Sequence, residues 1–132
     1  MPHTILIVED YAPVRRLLHE WLESAFPGTE VTEASSGEEG VSAVQARPPE
    51  VILMDIGLPG MNGIEAAGRI AALAPQARVV MLSALDGDRL RQKAAAAGAS
   101  AYVSKGSAHR ELLPVLEKLL SSGTPLGRGV ET

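Results

Sequence analysis

The sequence predicts an α/β protein built on a doubly wound, five-stranded parallel sheet. Three observations carry that prediction. Short, continuous apolar runs recur along the chain, Ile5-Leu-Ile-Val8, Val51-Ile-Leu-Met54 and Val79-Val-Met-Leu82, as expected of strands buried on both faces under helices. Stretches with apolar residues at helical spacing separate them. Each strand ends in a polar or charged residue before a loop.

The elements follow in order. Ile5–Val8 forms the first strand and delivers Glu9-Asp10. From 12 to 25, Val14, Leu17, Leu18, Trp21, Leu22 and Ala25 fall on one helical stripe, which Pro27-Gly28 ends. Residues 30–34 make a weaker second strand whose only large apolar member is Val31. Ser36-Gly-Glu-Glu39 has capping-box spacing and opens a helix that Pro48-Pro49 must stop. The central strand runs from Val51 to Asp55, and Asn62 can cap a third helix presenting Ile64, Ala67, Ile70, Ala71 and Ala74. A fourth strand, 79–82, ends in Ser83. An Ala-rich helix over 88–97 closes on Gly98. A short fifth strand, Ala101-Tyr-Val103, leads to Ser104-Lys105. Ser107 can cap a last helix carrying Leu112, Leu113, Leu116, Leu119 and Leu120, in which Pro114 predicts a kink or a late start. The unit is expected over 1–120, with 121–132 a flexible, linker-like tail.

Composition narrows the function. A chain of 132 residues with 45% hydrophobic and 21% charged residues is one globular domain. Its net charge of -4 gives no basic field for a phosphate backbone, so nucleic-acid binding by this chain alone is not expected. With no cysteine, disulfides, thiolate catalysis and thiolate metal sites are excluded together. No leader-like start and no run of membrane-spanning length are present, so a soluble, cytoplasmic protein is expected.

Right-handed crossovers suit the strand order 2-1-3-4-5. In that order Glu9, Asp10, Asp55, Ser83 and Lys105 share the carboxyl edge, with the three acids astride the switch point between strands 1 and 3. Three crowded carboxylates need a cation to stay ionised, and an all-oxygen set suits a hard ion such as Mg²⁺. Such a pocket, with Lys105 and a hydroxyl, stabilises a transferring phosphoryl group, and Asp55 would be the nucleophile that accepts it. Plainer roles compete: Ser83 as a turn cap, Lys105 as a surface lysine, Tyr102 as a half-buried edge aromatic. His19 and His109 read as solvated, away from the acids. Gly57, Gly60 and Gly63 do not spell a phosphate loop, because no Lys-Ser/Thr follows.

From about Thr4 to Leu120 the chain resembles the receiver domain of two-component response regulators. Glu9-Asp10, Asp55 with Leu58-Pro-Gly-Met-Asn-Gly63, Ser83-Ala84, Tyr102 and Lys105 carry the resemblance. Residues 55–66 and Ala97-Gly-Ala-Ser-Ala-Tyr102 are most similar to the branch that precedes a LuxR-type helix-turn-helix domain. The resemblance implies a flavodoxin-like fold and a phosphorelay function rather than a turnover enzyme. It implies that Asp55 takes phosphate from a phosphohistidine of a sensor histidine kinase or phosphotransfer protein. Glu9, Asp10, Asp55 and the backbone carbonyl of Gly57 would hold Mg²⁺, with Mn²⁺ as its substitute. Ser83 and Lys105 would bind phosphoryl oxygens, with Ser83 and Tyr102 forming a switch toward a homodimer or a downstream output domain. Two positions depart from the family: Glu9 where aspartate is commoner, and Gly106 where proline after a cis bond is common. A trans Lys105-Gly106 bond is therefore expected. An aspartyl-nucleophile phosphatase or phosphotransferase is the enzymatic alternative, although the position two residues on, where such enzymes carry a second acid, is Gly57 here. A constitutive interaction module is the other.

Overall fold

The computed structural model describes residues 3–122; the expected tail over 121–132 lies almost wholly outside them. Its five strands are β1 (Thr4–Val8), β2 (Glu30–Ala34), β3 (Val51–Asp55), β4 (Arg78–Ser83) and β5 (Ala101–Ser104). All pair in parallel, in the order β2-β1-β3-β4-β5. Five helices connect and cover them: α1 (Ala12–Ala25), α2 (Gly37–Ala46), α3 (Gly63–Leu73), α4 (Asp88–Ala96) and α5 (Ala108–Ser122). A single 3₁₀ turn, Lys105–Ser107, leads into α5.

The unbroken apolar runs are explained by a core on each face of the sheet. Leu6, Val8, Ile52, Met54, Val79 and Met81 point to the face covered by α2, α3 and α4. Ile5, Ile7, Val51, Leu53, Val80 and Leu82 point to the other, under α1 and α5 with Leu18, Leu22, Leu112 and Leu116. Every residue of β3 is buried, so neither face of that strand can accept a polar side chain until the strand ends at Asp55.

Local chemistry sets the helix ends. Asn62 accepts from the Glu65 amide, and the Glu65 carboxylate accepts from the Asn62 amide, forming a complete capping box at α3. At α2 the box is half formed. Ser36 accepts from the Glu39 amide at 3.0 Å, but the Glu39 carboxylate turns to the amide and hydroxyl of Ser35. Gly98, φ +105°, follows α4 in the left-handed conformation that helix ends favour.

The last helix corrects an expectation. It begins at Ala108, directly after the 3₁₀ turn, and runs through Pro114, so no late start occurs. Pro114 is exposed, where water can take the carbonyl its ring leaves unbonded, while Leu112 and Leu116 on either side are fully buried. The Lys105-Gly106 bond is trans, there being no cis bond among the described residues.

Candidate functional site

Strand register brings the acids level. Val8 pairs with Met54, so Glu9 and Asp55 are the next residues along adjacent strands, and Asp55 in turn pairs with Leu82, one before Ser83. Glu9, Asp55 and Ser83 are buried, at 2%, 8% and 3% exposure, whereas Asp10 is exposed. Glu9, Asp10 and Asp55 each offer a carboxylate oxygen, and these lie within 4.8 Å of one another. The group could hold a metal ion. Its donors are all hard oxygens, and the exposed Asp10 leaves a side open to water, which fits a divalent cation that keeps part of its hydration.

Lys105 closes the crevice from the end of β5. Its ammonium lies 3.1 Å from Glu9 Oε1 and 3.6 Å from Asp55 Oδ2. Burial alone would lower the Lys105 ammonium, but the hydrogen bond to Glu9 and the charges of Asp55 and Glu9 raise it above the usual lysine value. Burial pushes the Glu9 carboxyl above the ordinary glutamate value. The Tyr11 amide and Lys105 pull it down, and the charge of Asp55 adds to the rise. Each Glu9 oxygen is used: Oε2 accepts from the Tyr11 amide at 3.1 Å while Oε1 takes Lys105.

Asp55 Oδ1 accepts from the Gly57 amide at 3.2 Å, which turns the chain away after β3. Gly63 closes that turn, its amide donating to the Ile56 carbonyl at 3.0 Å. A Cβ on Gly63 would stand 2.2 Å from the Asp55 carbonyl oxygen and 2.8 Å from Ile56 Cα. Only glycine lets the start of α3 lie this close under the central strand's end.

On the far side, Ser83 Oγ accepts from the Leu85 amide at 3.1 Å, so Ser83 caps a turn here. The Tyr102 hydroxyl donates to the Leu85 carbonyl at 2.8 Å, and the Arg91 guanidinium sits 4.6 Å above the Tyr102 ring. Both Ser83 and Tyr102 thus hold the same residue of the β4–α4 loop. Gly57 meets Asp55 through its amide.

Some groups were not foreseen. The Arg15 guanidinium donates to the Glu9 carbonyl at 2.9 Å and to Glu33 at 2.8 Å. His19, expected to be solvated, is half-buried and bonds Glu33 at 2.6 Å, with Glu23 at 3.3 Å. Glu38, in the first turn of α2, accepts from the Met61 amide at 3.3 Å and steadies the loop after Asp55. A basic residue in the first turn of α1, where the helix field favours acids, was the available signal for Arg15. His109 is exposed, on the rim of a groove between α1 and α5.

An acid crevice closed by one lysine, at the switch point of a five-stranded doubly wound sheet, defines a small α/β module that can hold a hard cation against a buried carboxylate. The chain belongs to the response regulator receiver domain family, which residues 5–117 match. It is 34% identical to the response regulator UvrY of Escherichia coli O6:H1 over 117 residues, 89% of this chain and 54% of that protein. Its structure is similar to that of a LuxR-family two-component response regulator from Aurantimonas sp. SI85-9A1, with a TM-score of 0.85, 33% identity and coverage of 92% and 86% of the two chains. A CheY-like receiver domain protein from Methanospirillum hungatei gives 0.87, 28%, and 96% and 100%. The chain spans about half the length of the curated relatives it matches. No helix among the described residues is long and apolar enough to cross a membrane.

Proposed function

We propose that Asp55 is the phosphoacceptor of this receiver and that a histidine-borne phosphoryl group is its donor. The observation that carries the reading is the Asp55 carboxylate itself, set at the end of a fully buried strand within reach of Lys105, Glu9 and Asp10. An Asp55 oxygen attacks phosphorus, the phosphorus–nitrogen bond to the donor imidazole breaks, and the imidazole leaves with that electron pair, leaving a mixed anhydride on Asp55. Glu9, Asp10, Asp55 and the Gly57 carbonyl are the residues that would hold Mg²⁺, or Mn²⁺ in its place. When bound, the cation neutralises charge developing on the phosphoryl oxygens. Lys105 then exchanges part of its pairing with Glu9 for a phosphoryl oxygen, and the Ser83 hydroxyl donates to another. Movement of Ser83 loosens its hold on the Leu85 amide, and Tyr102, bonded to the same residue, reports the change toward an output surface.

The groove beside the crevice supports a protein donor. It is lined by Val14, Leu17, Trp21 and Ala108, reaches Lys105, and leaves Leu17 66% exposed. An apolar floor next to the acceptor suits a helix of a sensor kinase or phosphotransfer protein. The longer relatives and the LuxR-family neighbour support an output domain as the downstream partner, and a second copy of this chain is the other partner we propose.

Incubation with a small phosphoramidate donor and Mg²⁺ should add one phosphate, about 80 Da by intact mass, stable in acid and lost in base. Chelation of Mg²⁺ should prevent it. Equal labelling of Asp55→Asn would refute the assignment, and release of many equivalents of phosphate would point instead to a turnover enzyme.

A further inference from the structure

Arg15 stands at an unfavourable place for a cation, the first turn of α1, which holds no acidic residue. Its half-buried side chain is placed there by two bonds from one planar fork. Nη1 donates to the Glu9 carbonyl at 2.9 Å and Nε to Glu33 Oε1 at 2.8 Å. The other Glu33 oxygen accepts His19 at 2.6 Å, and Arg15 together with His19 keeps the Glu33 carboxyl below its ordinary value. The Glu9 carbonyl belongs to the peptide that joins Glu9 to Asp10, two of the three clustered acids. That peptide's plane decides the direction in which the Asp10 side chain leaves the backbone.

Glu9 is restrained elsewhere too, through its amide on the Ala34 carbonyl at 3.1 Å and its carboxylate on the Tyr11 amide and Lys105. Arg15 supplies the remaining restraint, on the carbonyl side. Because Glu33 offsets the guanidinium charge, Arg15 can donate this bond without setting an uncompensated positive charge beside a cation site.

We propose that Arg15, held by Glu33, is a positioning residue that orients the Glu9–Asp10 peptide so that both carboxylates face one divalent cation. This rests on the cation reading above and adds a group that touches neither cation nor phosphoryl. The bland alternative is a tie of α1 to β2 that affects stability alone.

The test measures Mg²⁺ binding to the full chain by calorimetry, and amide hydrogen exchange at Asp10 and Tyr11 in metal-free protein. In Arg15→Ala the Mg²⁺ half-saturation concentration should rise about ten-fold, the scale on which groups supporting metal ligands act, and exchange at the two amides should speed up. Glu33→Gln should move both in the same direction by less. Arg15→Lys should fail to restore binding, since one ammonium cannot reproduce the fork. Arg16→Ala, at an exposed position one residue on, should match the wild type. If Arg15→Ala lowers the melting temperature but keeps the Mg²⁺ half-saturation within two-fold and the exchange unchanged, Arg15 is only a structural tie. Should Arg15→Ala not fold, Arg15→Lys and Glu33→Gln decide by the same two readouts. A wild type that binds no Mg²⁺ would overturn the cation reading, and unchanged exchange in the variants would separately overturn the role of Arg15.

Discussion

The two sides of the crevice are held in different ways. On the acid side, Asp55 ends the central strand and Glu9 directly follows the neighbouring β1; both are almost fully buried and are pinned by the Tyr11 and Gly57 amides, by Lys105 and by Arg15. On the hydroxyl side, Ser83 is buried but residues 84–89 after it are all exposed. Leu85 is 69% exposed, Gly87 takes φ +151°, and α4 begins without a side-chain cap and buries only Ala94. Two of its ties, Tyr102 to Leu85 and Arg91 to Asp86, lie at the surface, while Leu85 to Ser83 is part-buried. Exposed bonds open at small cost, buried and interlocked ones at large cost. The acid side is thus held by buried, interlocked bonds and the β4–α4 loop mostly by exposed ones.

The largest expected effect tests the rigid side. Gly63→Ala puts a Cβ into backbone on the turn after Asp55, and no side chain is there to yield. We expect a loss of at least about 3 kcal/mol in denaturant unfolding. A loss under about 1 kcal/mol would show that the acid side gives more easily than its packing implies.

The second effect concerns pH. With its value raised by burial, Glu9 holds its proton more tightly in the folded than in the unfolded state. Its contribution to stability is therefore greatest below about pH 4.5, its ordinary value, and is lost as pH rises through the raised folded value. In metal-free buffer the wild type should lose stability relative to Glu9→Gln over that window, at less than about 1.4 kcal/mol per pH unit, the slope of one whole proton. Parallel stability curves for the two proteins would contradict the burial account.

The smallest effect probes the loose side. Tyr102→Phe removes the bond to the Leu85 carbonyl, and we expect a cost of about 0.5–1 kcal/mol with Mg²⁺ affinity unchanged. A change in Mg²⁺ affinity would mean that the two sides are coupled even before phosphorylation.

Much of this arrangement was readable from residues alone, for a physical reason. A strand buried on both faces must be continuously apolar, so β1, β3 and β4 announce themselves, and the first polar residue after each marks the carboxyl edge. Strand order then placed Glu9, Asp10, Asp55, Ser83 and Lys105 together. What the chain did not reveal were partners chosen in three dimensions. The Lys105–Glu9 bond joins residues 96 apart, and the sequence placed Lys105 beside Asp55 without pointing to Glu9 as its partner. Arg15 and His19 looked like ordinary polar positions on a helix until β2 brought Glu33 beside them. Of the kink or late start that Pro114 suggested, the late start does not occur, since α5 already runs from Ala108 with Pro114 on its exposed side. The capping box at Ser36 failed in half because Ser35 offered Glu39 a second donor pair.

The central claim is that chemistry at the rigid side is answered at the loose one. Amide chemical shifts recorded with Mg²⁺, before and after adding beryllofluoride as a stand-in for the phosphoryl group, test it most directly. The account predicts shifts over residues 84–112, largest around Leu85 and Tyr102, and much smaller ones there in Ser83→Ala. Shifts confined to the neighbours of Glu9, Asp10 and Asp55, with residues 84–112 unmoved in the wild type, would contradict it.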